Sequence, residues 1–256
     1  MYDHPDGRTR PRGRSLADQD ELQLGGPLSV LVRQKREHVK LDRLLSEVQV
    51  SSGEAQARVL LSIKRLVFPH AFAEESVLWP VLRRVLPDGE ALTLQVEQEH
   101  QEVNELVTRL EGGDLEPDEC RRLVDRLVHV LREDVRDEED ALLPELQGHV
   151  GTRRLRLLGV AWEAVRRSAP TRPHPVVSRR PPGNALAGLP LSLIDNLRDL
   201  CEVTAHRAPR AAPLLRRTSG TLSRAAGRVE RIGVMQRGKR PSTEVGPRPG
   251  QGSHHR

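Results

Sequence analysis

His70-Ala71-Phe72-Ala73-Glu74-Glu75, followed by Trp79-Pro80, has a counterpart 64 positions downstream in Asp134-Val135-Arg136-Asp137-Glu138-Glu139, followed by Leu143-Pro144. Glu37-His38 is likewise answered by Glu99-His100, 62 positions later. A nearly constant offset over two separate motifs is the mark of an internal repeat, here two helical hairpins that copy one another. Positions i and i+4 share a helix face, so His70 points with Glu74 and Asp134 with Glu138.

Working outward from these motifs, each lies on an apolar stripe. Leu31, Leu41, Leu45 and Val48 recur at helical spacing between the breaker Gly25-Gly26-Pro27 and Ser51-Ser52-Gly53, with His38 in register. Ile63, Val67, Val77 and Val81 carry a second helix from about Glu54 to Leu86, on which His70 continues the stripe. Pro69 and Pro80 interrupt that helix and predict a kink, because an interior proline removes a hydrogen bond at a cost of about 3 kcal/mol. A third helix, with Asp88 as its cap, places Leu92, Val96, Val103 and Val107 with His100 and ends at Gly112-Gly113. Pro117 opens a fourth, in which Leu123, Leu127, Val130 and Ala141 share a face with Asp134 as far as Gly148. Four amphipathic helices with short connections predict an all-α fold, an antiparallel up-down four-helix bundle.

Six ionisable groups, His38, His70, Glu74, His100, Asp134 and Glu138, thus face one core. Ionised carboxylates are costly to bury without partners, and a cation among them supplies the partner. Imidazole mixed with carboxylate suits iron, manganese or zinc, and facing helices of a bundle are able to hold two ions. His129 falls about 140° and 180° away from Asp134 and Glu138 at roughly 100° per residue, which makes it a surface histidine. Glu75, Glu139, Glu133 and Asp137 read as solvated acids, and Asn104 as a neighbour of His100. His4, His149, His174 and the His254-His255 pair have no partner spacing and are left out of the site.

The motifs resemble those of the hemerythrin-like, or HHE cation-binding, domain family, in which a histidine begins each hairpin and an H-x-x-x-E motif ends it. The likeness covers roughly residues 28 to 147, and the H-A-x-x-E-E stretch at His70 to Glu75 with Pro80 is its most specific part. It implies a non-haem di-iron centre, with Glu74 and Glu138 bridging the metals and His38, His70 and His100 as terminal ligands. Two positions depart from the family. Asp134 stands where a fourth histidine is usual, so one iron acquires an oxygen-rich ligand set and occupancy by a single iron becomes an alternative. Pro69 directly precedes His70, where it can re-aim that ligand.

Composition bounds the remainder. Of 256 residues, 36% are hydrophobic and 30% charged, which suits a local core diluted by solvated segments. Aromatics at 2% are too few for a base-stacking surface. Cys120 and Cys201 are the two cysteines, too few for a disulfide framework, and the N-terminus has no apolar leader. With no run long enough to span a membrane, the expectation is a cytoplasmic protein. No P-loop, dinucleotide glycine pattern, thiolate zinc pattern or G-x-S-x-G elbow is present, so the common nucleotide, redox-cofactor and hydrolase classes have no support.

The expected organisation is a disordered segment over 1–26, the bundle over 27–150 and an additional helix over 151–168. A proline-rich linker follows over 169–190, then a short helix over 191–203 and a basic, largely disordered tail over 204–256. That tail holds about a dozen arginines and lysines and reads first as a solvated arm, with nucleic acid or an acidic surface as the alternative partner. The function expected from the resemblance is binding or sensing of dioxygen, nitric oxide, peroxide or iron. A di-iron oxidase or peroxide-decomposing enzyme is the second reading, and a metal-free helical scaffold with a nucleic-acid-binding tail the third.

Overall fold

The structure, a computed structural model, describes residues 14–112, 115–174, 183–208 and 210–232. Among the described residues it is helical with no strand. The helices are α1 (Val30–Val50), α2 (Gly53–Ala73), α3 (Trp79–Val85), α4 (Gly89–Glu111), α5 (Pro117–Asp137), α6 (Leu143–His149), α7 (Thr152–Arg167), α8 (Gly183–Arg207) and α9 (Ala212–Glu230). Ser29 caps α1 by accepting a hydrogen bond from the Leu31 amide, and Gly53 opens α2 at φ +56°, a conformation that glycine adopts without strain.

Side-chain pairs show the direction of each hairpin. Gln56 reaches Val48, His70 reaches His38, and Glu74 reaches Gln34, so α2 climbs as α1 descends. Arg109 with Glu119, Glu102 with Arg126, and Gln95 with Asp137 do the same for α4 and α5. The two hairpins meet where α1 packs on α5 and α3 on α4. Their apolar faces form two cores with the ionisable side chains between them. One gathers Leu31, Leu78, Trp79, Leu82, Leu143 and Trp162, and the other Leu45, Ile63, Val103, Leu127, Val130 and Leu131.

The predicted kink takes a different form. Helix α2 runs through Pro69 to Ala73, and the chain then makes a π-helical turn over Glu74–Leu78 before α3 begins. A second π turn, Glu138–Leu142, joins α5 to α6. Each is followed by a proline, Pro80 or Pro144, in the first turn of the next helix. A proline ring clashes with the carbonyl four residues back, and widening the turn to i→i+5 relieves that clash.

Three boundaries move. Residues 14–26 are ordered rather than part of a disordered segment: Leu16 and Leu24 are fully buried, and the Lys35 ammonium donates to the carbonyls of Ala17 and Gln19. The short helix expected over 191–203 extends to Gly183–Arg207, through Pro190, and the basic segment after it contains α9. Residues 1–13, 175–182 and 233–256, on which the remaining disorder and linker expectations fall, lie outside the described residues.

The reason for the C-terminal order is a set of acids that the basic composition hid. Arg172, 2% exposed, donates to Asp199 of α8 and to Glu111 of α4, and pairs with Glu202. Lys64 of α2 pairs with the same Glu111. Asp195 accepts from the amides of Thr171 and Arg172 and from His174, whose other ring nitrogen meets Glu230 of α9. Helices α8 and α9 are thereby tied to each other and to the bundle. Helix α7 lies on α1 and α2, and its Gly159 meets the backbone that leads into α1, where a Cβ would collide with the Leu28 carbonyl oxygen.

Candidate metal centre

All six ionisable side chains singled out from the sequence meet in one buried layer. His38 comes from α1, His70 from α2, His100 from α4 and Asp134 from α5, while Glu74 and Glu138 are the first residues of the two π turns. Glu74 is 0% and Glu138 1% exposed. The three histidines turn Nε2 inward. His38 Nε2 lies 3.3 Å from His70 Nε2 and 3.2 Å from Glu138 Oε2. Glu74 presents one oxygen 3.1 Å from His70 and the other 3.7 Å from His100. His100 Nε2 is also 3.6 Å from Asp134 and 3.9 Å from the second Glu138 oxygen. Both glutamates therefore span two halves of the cluster.

Every histidine turns Nδ1 outward to a carboxylate: His38 to Glu139 at 2.8 Å, His70 to Glu37 at 2.9 Å, and His100 to Glu75 at 2.9 Å. A proton held at Nδ1 leaves the Nε2 lone pair available, which is how histidine is prepared as a ligand. Glu75 and Glu139 are thus corrected from solvated acids to orienting groups, and Glu75 is 3% exposed. Glu37 is the acid of the first of the two repeated Glu-His pairs. Its second oxygen pairs with Arg166 of α7 at 3.3 Å, Arg166 lies over the Trp162 ring, and Trp162 meets His70 edge-on at 5.4 Å. The additional helix is accordingly a cover for this side of the cluster. Trp79 stacks on His100 from within the core, and the Gln34 amide donates to Glu74. His129 is exposed beside Glu133, as expected, and Asn104 donates to the His100 carbonyl.

The electrostatics are those of a buried cluster in which acids and imidazoles are closely coupled. Burial lowers the affinity of His38 and His100 for a second proton, but the surrounding carboxylates outweigh it. His38 is pushed up to about 9 by Glu138 and Glu139, and His100 to about 10 by Asp134, Glu75 and Glu74. Burial, with the charge of Glu138, raises Glu74, and burial holds Asp134 well above the ordinary carboxylate range. Glu138 alone of the three carboxylates is lowered, because His38 and the other histidines overcome its burial. Glu74 Oε2, Asp134 Oδ1 and Glu138 Oε1 are buried without a hydrogen-bond partner. Buried carboxylate oxygens without a hydrogen-bond partner, set beside imidazole Nε2 atoms, are the donor set that a divalent cation satisfies as it displaces the ring protons. Two groups of ligand atoms each lie within 4.8 Å of one another: His38, His70, Glu74 and Glu138, and His100, Asp134 and Glu138. The residues present fit a metal.

A helical bundle with histidines and carboxylates converging from facing helices defines a cation-binding class of domain, and the comparisons specify it. Residues 30–146 match the family described as the hemerythrin HHE cation-binding domain. An uncharacterised hemerythrin-like protein of Schizosaccharomyces pombe is 27% identical over 134 residues, 52% of this chain and 66% of its own length, just under two thirds. No solved structure matches the chain. Among the described residues no helix is long and apolar enough to cross a membrane.

Proposed function

We propose that the domain holds non-haem iron, which His38, His70, Glu74, His100, Asp134 and Glu138 would ligate, and that it binds or senses a small ligand such as dioxygen, nitric oxide or peroxide. Iron bound there would supply a redox couple and open coordination positions. The observation that favours ions and small ligands over organic substrates is a void of about 20 Å³ at the cluster, lined by His38, His70, His100 and Asp134 and walled by Leu41, Leu66, Val67 and Leu131. A space of that size takes about one water-sized molecule, whereas sites for organic substrates run to hundreds of cubic ångströms. The protein's own residues orient three imidazoles through their Nδ1 atoms, keep bulk water out with two apolar cores, and cover His70 with Trp162. A reducing, cytoplasmic setting is part of the same reading, and both cysteines are free.

The test is elemental analysis with an optical spectrum after anaerobic ferrous loading, followed by nitric oxide titration. About two irons per chain and saturable spectral change on titration are expected. His70→Ala and Glu74→Ala should each lower metal content while the helical circular dichroism signal persists. Less than half an ion per chain in the unsubstituted protein would dismiss the reading, and catalytic peroxide loss in a steady-state assay would move it to the enzyme class.

A further inference from the structure

Helix α9 is a two-faced helix whose outer face is made of arginine. Its inner face, with Ala212, Ser219 and Ala226 buried, is committed to packing on α8, where Ala226 and Val229 meet Leu191 and Ile194. On the opposite face Arg217, Arg224, Arg228 and, one residue past the helix, Arg231 are all exposed. At 100° per residue these four fall within about 60° of one another, and from Arg217 to Arg231 they cover about 21 Å of helix. Glu230 is the one acidic residue in α9, and it is turned to His174. Among the described residues none of the four arginines is in an ion pair, and Arg224 alone has a side-chain hydrogen bond, to Thr221 one turn back. The sequence from 233 onward contains further cations, Arg237, Lys239, Arg240 and Arg248.

From these observations we infer that the arginine face of α9 is a binding surface for the phosphate backbone of double-stranded nucleic acid. The residue type favours phosphate. All the cations of α9 are arginines, whose planar fork pairs with phosphate oxygens in a bidentate manner. A membrane surface is the competing polyanion, but an interfacial helix must bury an apolar face among the acyl chains, and the apolar face of α9 is already used against α8. Between Leu214 and Ile232, the exposed large apolar residues at its two ends, the arginine face interposes threonines and an alanine. Single strands are usually held by base stacking on aromatic rings, and α9 has none. A rigid row of arginines with nothing to read a base edge therefore fits a duplex backbone without sequence preference.

The test uses the full chain and a fluorescently labelled 20-base-pair duplex of arbitrary sequence, with anisotropy measured between 50 and 200 mM KCl. Four phosphate contacts give a slope of about −3.6 in the logarithmic salt plot, which weakens binding roughly a hundredfold across that range. The variant Arg217→Ala/Arg224→Ala/Arg228→Ala/Arg231→Ala should lose that part of the slope and most of the affinity at 100 mM salt. Alanine favours helix, and an unchanged circular dichroism signal confirms that α9 persists. A companion variant replaces Arg237, Lys239, Arg240 and Arg248 with alanine and should retain the α9-dependent slope. Equal slopes in wild type and the α9 variant would overturn the proposal, as would binding lost only in the companion. Capture by phosphatidylserine vesicles with no duplex binding would overturn it in favour of a membrane surface.

Discussion

Asp134 occupies the place that the internal repeat assigns to a histidine, and the consequence falls on Glu99. The repeat relates His38 with Glu139 to His100 with Glu75, and both pairs are made. It also relates His70 with Glu37 to Asp134 with Glu99, and there the pair is missing. Glu99 Oε2 is buried without a partner, and burial, together with the nearby charge of Asp137, pushes its carboxyl up to about 7. Glu99 stands where the repeat places the partner of an imidazole Nδ1, and on the proposed metal reading this half of the centre is expected to bind more weakly than the other. Asp134→His should therefore tighten the second metal position, and the increment should depend on Glu99. Removing such an outer partner typically costs 10- to 100-fold in metal affinity. Chelator competition on Asp134→His and on Asp134→His/Glu99→Ala should differ by about that factor, whereas Glu99→Ala in the native background should change little. An equal response in both backgrounds would show that Glu99 is a bystander, because a coupling between contacting residues must appear as non-additivity.

At the scale of elements, the two π turns explain why consecutive glutamates both point inward. In an α-helix neighbours stand about 100° apart, so a ligand at Glu74 would send Glu75 toward the helix flank. The wider turn brings Glu75 to His100 while Glu74 stays on the cluster, and Glu138 with Glu139 repeats the arrangement. Such a turn amounts to one residue inserted into an α-helix, so deleting Ser76 should restore α geometry and leave Trp79 and Leu82 near their places in the core. The expected outcome is a helical protein that unfolds cooperatively but retains metal at least tenfold less well, read by equilibrium dialysis against a chelator. Unchanged retention would mean that the turn serves Pro80 alone. These turns also mark the limit of what sequence periodicity shows. The six inner groups were legible because they continue apolar stripes of period 3.6, and the repeat confirmed which residues matched. That period puts Glu75 and Glu139 off the stripe, where an acid is expected to be solvated, and nothing in it reports a turn of different width. The recurrence of Trp79-Pro80 and Leu143-Pro144 was the available signal.

For the whole molecule, the part least legible in the sequence is the part most dependent on charge. Composition after Ala169 reads as proline-rich and basic, yet Asp195, Asp199, Glu202 and Glu230 meet Arg172 and His174 and dock α8 and α9 through side chains distant in the chain. No local pattern encodes pairs of that kind, whereas the bundle core is written in the spacing of leucine and valine. This docking should respond to pH through His174. Burial lowers its proton affinity, but hydrogen bonds to Asp195 and Glu230 prevail and push it up to about 9 from the ordinary 6.5. A group whose folded value is raised stabilises the native state fully below its unfolded value, and the contribution is lost as pH rises through the folded value. The window is therefore about pH 6.5 to 9, and a shift of that size corresponds to at most about 3 kcal/mol. Urea denaturation of the native chain and of His174→Gln at pH 6.5 and pH 10 isolates this one group, since other titrations cancel in the difference. The native protein should lose more stability over the interval than the variant does, by up to that amount. Parallel losses would show that the imidazole is not charged in the docked state, and the anchorage of α8 would then rest on Arg172, whose pairing with Asp199, Glu202 and Glu111 persists across the whole range.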